Sequence, residues 1–339
     1  MQSSDEAMRD ETREVSWAVG PTTVHGSLVR PAGPGPFPAV VLVAGSGPTD
    51  RDWNSPLLPG TNGSARLLAE ALARAGIASL RYDKRASGPH VRETIAAMPA
   101  IAGSTGKFSM QSHLDELIGG VAFLASQTFV DPSRIFGLGN SEGTLHVLNY
   151  QLRDPEIPFA GLVLTGPPGR AVGAVARAQL AAQASGLPNG DGFLALYDAA
   201  IARFLAGEPV APDPSLPVAF QQLLQGLAAP VNQPMARELW VADAASLLAQ
   251  VSVPVLIIIG KKDIQVDWIA DGEPLQRAAV GHDRVTFLFP ENANHVLKSE
   301  PRPRSALGPA DVLPSYNGPD AQLDPVTTEA IVNWLRSAA

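Results

Sequence analysis

Residues 134–148 read RIFGLGNSEGTLHVL, and this stretch decides the fold class. The run Arg134–Gly139 is typical of a buried strand, and Thr144–Leu152 has the pattern of a helix. The turn between them, GNSEG at 139–143, fits G-x-S-x-G, in which small residues let the helix pass close to the strand while a serine hydroxyl is held above the sheet. The positive end of the helix dipole lies at the same turn and favours an anionic intermediate. We therefore predict that Ser141 is a nucleophile rather than a simple helix N-cap.

Strands and helices alternate on both sides of this turn. The first two candidate strands alternate polar and apolar residues, which predicts an antiparallel hairpin, whereas the later ones are continuous apolar runs, typical of parallel strands covered on both faces. The sequence thus predicts an α/β fold with an eight-stranded, mostly parallel sheet and helices on both faces. The candidate strands are Glu14–Val19, Val24–Arg30, Ala39–Ala44, Ile77–Tyr82, Arg134–Gly139, Gly161–Thr165, Pro254–Gly260 and Val285–Phe289.

Residues 167–250 interrupt the alternation. They contain no convincing strand, and we predict that they form a helical cap inserted into a core domain made of residues 1–166 and 251–339. The predicted cap helices are Val172–Ala184, Phe193–Ala206, Val218–Ala228 and Met235–Ala249. Because ligands of open α/β sheets bind at the carboxyl ends of the strands, we expect the cap to cover Ser141. We expect four of its aromatic residues to line an apolar acyl pocket and bind substrate: Phe193, Phe204, Phe220 and Trp240.

Composition excludes several classes of protein. The chain has 339 residues, with 25 Lys and Arg against 33 Asp and Glu, so its net charge of −8 argues against a nucleic-acid partner. The absence of cysteine excludes a disulfide framework, a thiolate metal site and a cysteine nucleophile. The apolar runs Ala39–Ala44 and Val253–Ile259 are far short of the ~20 residues that span a bilayer. The first residues resemble no export signal, so we expect a soluble, cytoplasmic protein, with an export signal removed earlier as the open alternative.

A serine nucleophile needs a base and an acid that orients the base. His295 follows the strand Val285–Phe289 and therefore lies at the same sheet edge as Ser141, whereas the other five histidines lack such a position. Asp263 directly follows the strand Pro254–Gly260, and Asp267 and Asp271, further along that loop, are predicted to be surface charges or helix caps. The order Ser141, Asp263, His295 is the chain order of one of three triad classes.

A dinucleotide site and a metal site are alternative interpretations of the glycine-rich and polar segments. The spacing of Gly137, Gly139 and Gly143 is one residue too long for a dinucleotide fingerprint, and no acidic residue ends the next strand. The cluster Asp50-Arg51-Asp52 is predicted to be a local ion pair, and we predict neither a metal nor a cofactor.

The tetrahedral intermediate needs backbone N–H donors, of which Glu142 is expected to supply one and the loop AGSGP at 44–48 another. The segment 301–319 is predicted to be an irregular loop before a final helix, Val326–Ser337.

Together these motifs resemble the α/β-hydrolase family over nearly the whole chain. The matches are the elbow at 139–143, the G-x-x-D-x-x-V pattern at 260–266 and the histidine loop Asn294-His295. The segments GSGPTDRD at 45–52 and RYDKR at 81–85 are similar to a bacterial esterase branch related to serine-aminopeptidase-like hydrolases. The resemblance implies that Ser46 is the second backbone donor. Two positions depart from the family pattern, since Asn140 and Ala44 stand where many members have histidine.

The leading hypothesis is a serine esterase acting on a small-molecule ester of short to medium acyl chain through Ser141, His295 and Asp263. An amide or peptide hydrolase of the aminopeptidase type is an alternative that keeps the triad. It is disfavoured because the cap has few acids to hold a substrate ammonium. A non-catalytic binding protein on the same fold is the third hypothesis, because fold alone does not establish function.

Overall fold

The structure, a computed structural model, describes residues 10–101 and 106–338. Its centre is one eight-stranded sheet with the order β1-β2-β4-β3-β5-β6-β7-β8. β1 and β2 form the predicted antiparallel hairpin, β2 pairs antiparallel with β4, and all other neighbours are parallel. The predicted α/β class and mostly parallel sheet are therefore confirmed. The strands are β1 (Glu11–Val19), β2 (Thr22–Arg30), β3 (Phe37–Val43), β4 (Ala78–Tyr82), β5 (Val130–Asn140), β6 (Gly161–Thr165), β7 (Val255–Ile258) and β8 (Val285–Leu288).

Helices cover both faces of this sheet. The helices are α1 (Ser64–Arg74), α2 (Val91–Ala97), α3 (Met110–Ala125), α4 (Glu142–Gln151), α5 (Val172–Ala184), α6 (Gly190–Leu205), α7 (Val218–Ala228), α8 (Met235–Val241), α9 (Ala244–Leu248), α10 (Gly272–Ala278), α11 (Val312–Asn317) and α12 (Pro325–Ser337). None of these helices is both long and apolar enough to cross a membrane.

The two faces of the sheet belong to two apolar cores because successive strand residues point in opposite directions. In β3, Val41 joins the core beneath α3 and α4, while Val40 and Leu42 join the core beneath α1 and α12. Burial on both faces explains why the parallel strands are continuous apolar runs. Because β3 to β8 are parallel, their carboxyl ends lie at one edge, where the loops that carry the candidate site emerge.

Residues 167–250, here called the helical insertion, form α5 to α9 between β6 and β7. Apolar side chains of α5 to α8 make a separate cluster of their own around Tyr197, Phe204 and Phe220. Expected helices Val172–Ala184 and Val218–Ala228 have the observed bounds of α5 and α7.

Two local predictions are wrong. The single helix expected over Met235–Ala249 is divided, because the backbone of Ala242 is extended and the carboxylate of Asp243 accepts a hydrogen bond from the Ser246 N–H, which begins α9. The segment 301–319 is not wholly irregular, since it contains two 3₁₀ turns and α11. In both segments, the elements are too short for apolar periodicity to reveal their bounds in the sequence.

Candidate active site

Ser141 lies on the sharp turn that joins β5 to α4. Its backbone has φ 54° and ψ −123°, a conformation that a non-glycine residue adopts at a cost of order 1–3 kcal/mol. The turn is held from both sides, because the Ser141 N–H donates to the Thr165 carbonyl at 2.8 Å and the Thr144 hydroxyl donates to the Ser141 carbonyl at 2.6 Å. The side chain remains partly exposed.

The glycines on either side of Ser141 are required by close backbone contact. A Cβ at Gly139 would collide with the Gly143 carbonyl, and a Cβ at Gly143 would collide with the Val43 carbonyl. The G-x-S-x-G pattern is thus explained by the passage of α4 against β5 and β3, as the sequence predicted.

Asp263 and His295 meet at the carboxyl ends of β7 and β8. His295 Nδ1 donates to Asp263 Oδ2 at 2.7 Å, and both side chains are buried. The other carboxylate oxygen, Oδ1, accepts from the backbone N–H groups of Gln265 and Val266 at 2.8 and 2.9 Å. These hydrogen bonds fix the Asp263 carboxylate in place. Because that carboxylate accepts a hydrogen bond from Nδ1, the imidazole is held in the tautomer whose Nε2 has a free lone pair.

The alternatives to Asp263 in the same loop have other partners. Asp271 is fully buried and pairs with the Arg170 guanidinium at 2.8 Å, while Asp267 accepts from backbone N–H groups at the start of the next turn. Asp271 is therefore a buried ion-pair partner, so the expected surface charge is wrong for it, although it does stand at the N-cap position of α10, where its side chain makes no capping hydrogen bond. Asp267 caps a turn and not a helix, so the expected helix cap is wrong for it.

Asn140 links the serine turn to the histidine loop. Its side-chain Nδ2 donates to the His295 carbonyl at 3.0 Å and to the Thr165 hydroxyl at 3.1 Å. The sequence showed this position only as a departure from the family pattern. The contact joins residues 155 apart in the chain, so no local signal could have revealed it.

The loop that follows β3 lies directly beside Ser141. A Cβ at Gly45 would be 3.1 Å from the Ser141 Cβ, and Ser46 lines the same cavity as Ser141. The Glu142 N–H belongs to the first turn of α4, where N–H groups have no partner within the helix. The two predicted backbone donors, Ser46 and Glu142, therefore flank the serine.

A buried charged network lies behind these donors. Lys84 Nζ donates to Glu142 Oε1 at 2.9 Å, and His146 Nε2 lies 3.0 Å from the same oxygen. Burial by itself would raise the pKa of Glu142, but the Lys84 ammonium and the His146 hydrogen bond outweigh it and hold that pKa well below its usual value. Burial lowers the pKa of His146 to about 4, against the opposing effect of Glu142. At neutral pH, Glu142 is thus ionised and His146 is a neutral hydrogen-bond donor.

Ser141 and His295 line one cavity of about 860 Å³. Its wall on the side of the helical insertion includes Val172, Val175, Leu223, Leu239 and Trp240. The insertion thus lies over the serine side of the sheet edge.

Of the four aromatic residues expected to bind substrate, Trp240 lines this cavity. Phe204 and Phe220 lie in the insertion's own apolar cluster, and Phe193 packs against that cluster. None of these three is among the described residues that line the cavity, so we do not carry them forward as substrate-binding residues. The reason is that an inserted helical unit must bury its largest side chains to be stable, and that requirement competes with lining a pocket.

The local ion pair expected within Asp50-Arg51-Asp52 is wrong. Arg51 pairs with Asp83 at 2.7 Å and with Glu14, while Asp52 pairs with Arg81 at 2.9 Å. Asp50 instead accepts from the backbone N–H groups of Asp52 and Asn54. Adjacent side chains in this turn point in different directions, and β1 and β4 bring oppositely charged partners to them.

Comparison with known proteins agrees with this geometry. The chain is 29% identical over 280 residues to esterase EstD of Thermotoga maritima, which corresponds to 81% of this chain and 58% of that protein. It therefore spans little more than half the length of this curated relative.

Solved structures share the fold at low sequence identity. An esterase of Pyrococcus furiosus aligns with a TM-score of 0.55 at 16% identity, covering 96% of this chain and 91% of that one. A proline iminopeptidase of Mycobacterium smegmatis has the same TM-score and identity and covers 96% and 98%. The family model described as the alpha/beta hydrolase family matches residues 40–303, which is most of the chain. With this match, the strand order and the strained serine turn all in agreement, the chain belongs to the alpha/beta hydrolase family.

Proposed function

We propose that this protein is a serine hydrolase that cleaves carboxylic esters of short to medium acyl chain. The observation that carries the proposal is the 2.7 Å hydrogen bond between His295 and Asp263, at the cavity into which the strained Ser141 turn opens. The resemblance to an esterase of Thermotoga maritima supports the choice of ester over other acyl compounds.

In the proposed reaction, Ser141 Oγ attacks the ester carbonyl while His295 Nε2 takes the hydroxyl proton. The electron pair of the carbonyl double bond moves to its oxygen, which the N–H groups of Ser46 and Glu142 stabilise. The intermediate collapses, His295 returns the proton to the leaving alcohol, and the acyl group stays on Ser141. A water molecule then attacks the acyl-enzyme with His295 again acting as the base, and the carboxylic acid leaves Ser141. Asp263 orients the imidazole throughout and stabilises its positive charge whenever His295 holds the transferred proton.

Cleavage of peptides from a free N-terminus is the competing function. A site of that kind needs a carboxylate to hold the substrate ammonium. Among the described residues that line the cavity, Glu142 is the only acid, and Lys84 and His146 already bind its carboxylate. The lining therefore favours an uncharged ester substrate.

The strain at Ser141 supports a functional role for this turn. A serine held at φ 54° costs stability, and strain of this kind is concentrated at functional sites. The sharp turn exposes the Ser141 hydroxyl above the sheet, as a nucleophile requires.

Labelling and turnover test the proposal together. A fluorophosphonate probe should label the protein on the peptide that contains Ser141. Ser141→Ala should abolish labelling and lower turnover on the order of a millionfold, as loss of a triad nucleophile does. Ser185→Ala, at an exposed serine of the insertion, is the matched control and should keep both.

The substrate class is decided by a panel of p-nitrophenyl esters from acetate to palmitate, run beside aminoacyl anilides. Turnover should be fastest with the short and medium esters. A folded Ser141→Ala protein that hydrolyses esters at the parent rate would overturn the mechanism, and faster cleavage of the anilides would overturn the substrate class.

A further inference from the structure

Lys84 is a buried lysine that the mechanism above leaves unused. It follows β4 by two residues and is 2% exposed. Its ammonium donates to the Gly45 carbonyl at 2.6 Å and to Glu142 Oε1 at 2.9 Å. One of these acceptors lies in the loop after β3 and the other at the start of α4.

The contact with Gly45 sets the direction of the Ser46 N–H. The Gly45 carbonyl and the Ser46 N–H belong to one peptide unit, and in a trans peptide the two groups point in opposite directions. With the carbonyl hydrogen-bonded to Lys84, the Ser46 N–H is directed away from the ammonium, and Gly45, Ser46 and Lys84 all line the cavity that contains Ser141. Without this hydrogen bond the peptide unit could rotate, because the Gly45 and Ser46 backbone lies outside any strand or helix.

The contact with Glu142 holds the other donor. Glu142 carries both the carboxylate that Lys84 binds and a backbone N–H in the first turn of α4. His146, one turn along the same helix, holds that carboxylate from the other side. One ammonium therefore connects the residues that supply both backbone donors.

The sheet order explains why this residue can do so. β3 lies between β4 and β5, so the loops that follow the three strands emerge side by side at one edge. Lys84 lies in the loop after β4, Gly45 lies in the loop after β3, and Glu142 begins α4 directly after the turn that follows β5.

A purely stabilising role explains this arrangement less well. A buried lysine and glutamate lose their hydration, and well-packed apolar side chains of similar volume often stabilise a fold as much or more. An apolar side chain could not, however, fix the direction of the Gly45 carbonyl.

We propose that Lys84 is a positioning residue that aligns the Ser46 and Glu142 N–H groups on the oxyanion of the tetrahedral intermediate. This inference rests on the proposed ester hydrolysis. It assigns Lys84 no contact with substrate and no proton transfer.

The test uses the full chain and two variants. Lys84→Met removes both contacts but leaves the Glu142 carboxylate buried without its cation, which threatens folding. The double variant Lys84→Met/Glu142→Leu removes both charges together and keeps the backbone N–H at position 142. The control is Lys298→Met, which removes another buried lysine, 2% exposed, that donates to two carbonyl oxygens, of Asn62 and Tyr316.

Each protein is assayed for kcat and KM on its best p-nitrophenyl ester and for the inhibition constant of an aryl trifluoromethyl ketone. Ser141 adds to this ketone, its proton passes to His295, and the ketone oxygen becomes an oxyanion that needs the same two donors. Thermal unfolding is measured in parallel.

For the double variant we expect kcat to fall about 100-fold with KM within threefold of the parent, because oxyanion donors act in the transition state. The ketone inhibition constant should rise by a similar factor. The melting temperature should fall less than in Lys84→Met, because the double variant leaves a neutral His146 N–H without its acceptor and not a buried carboxylate without its cation. Lys298→Met should lower the melting temperature without a matching rise in the inhibition constant.

A folded double variant that keeps the parent kcat and inhibition constant would overturn the role of Lys84. That result differs from failure of the proposed function, in which the parent protein itself would not be labelled at Ser141. If kcat falls but ketone affinity does not, Lys84 acts on some other step and the inference is wrong.

Discussion

Replacing His146 by glutamine should make the free energy of unfolding less dependent on pH between about 4 and 6.5. His146 is 2% exposed and donates from Nε2 to the Glu142 carboxylate. Burial lowers its pKa from 6.5 to about 4 in the folded protein, whereas the unfolded chain restores the ordinary value. Glutamine can supply a similar donor but does not titrate.

The sign follows from proton binding. Between these two pKa values the unfolded state binds a proton at His146 and the folded state does not, so acid favours unfolding. A pKa difference of one corresponds to about 1.4 kcal/mol, and the difference at His146 therefore corresponds to roughly 3 kcal/mol. The stability that a neutral His146 contributes is fully present above pH 6.5 and is lost as the pH falls to about 4.

Urea unfolding at a series of pH values from 4 to 7.5 measures this contribution. On lowering the pH, the parent should lose roughly 3 kcal/mol more than His146→Gln. His282→Gln, at a half-buried histidine in a loop, is the matched control and should follow the parent. If the parent and His146→Gln curves stay parallel over this range, His146 is not held neutral by burial and our description of the network is wrong.

Three further predictions concern the site and its support. Asp263→Asn should lower turnover about ten-thousandfold with little change in KM, because the imidazole loses its orienting charge, while Asp267→Asn should have a small effect on turnover. If Asp267→Asn had the lower kcat of the two, the triad acid would be Asp267. Trp240→Ala should shift preference toward longer acyl chains in the p-nitrophenyl series, because Trp240 lines the cavity. Phe220→Ala should instead cost about 3–5 kcal/mol of stability in urea unfolding and leave the chain-length ratio unchanged, because Phe220 lies in the insertion's own apolar cluster. Equal chain-length ratios in both variants would show that Trp240 does not bind the acyl chain. Gly143→Ala should destabilise the fold by at least about 1–3 kcal/mol in the same assay, because the new Cβ meets the Val43 carbonyl. Gly186→Ala is the control and should be nearly neutral, because a Cβ there meets no atom within 4 Å. Equal stability of the two variants would contradict the close passage of α4 against β3.

The sequence by itself predicted the features that depend on neighbouring residues. The serine turn follows from a strand, two small residues and a helix within 15 positions, and the parallel strands are visible as continuous apolar runs. Asp263 and His295 could be chosen because each lies in the loop that follows such a strand, and the carboxyl ends of parallel strands gather at one edge whatever the order of the strands. The aromatic residues of the insertion were misjudged for a related reason, since composition does not tell a pocket wall from the insertion's own core.

Contacts between distant residues were decided only by the tertiary structure. Lys84 reaches Gly45 across 39 positions and Glu142 across 58, and Asn140 reaches His295 across 155. Lys84 meets Gly45 and Glu142 because β4, β3 and β5 are neighbours in the sheet, an order that apolar periodicity does not encode. Periodicity shows which face of each element is buried, but the pairing of strands is set by the packing of the whole chain, and that pairing places a lysine between the two predicted backbone donors.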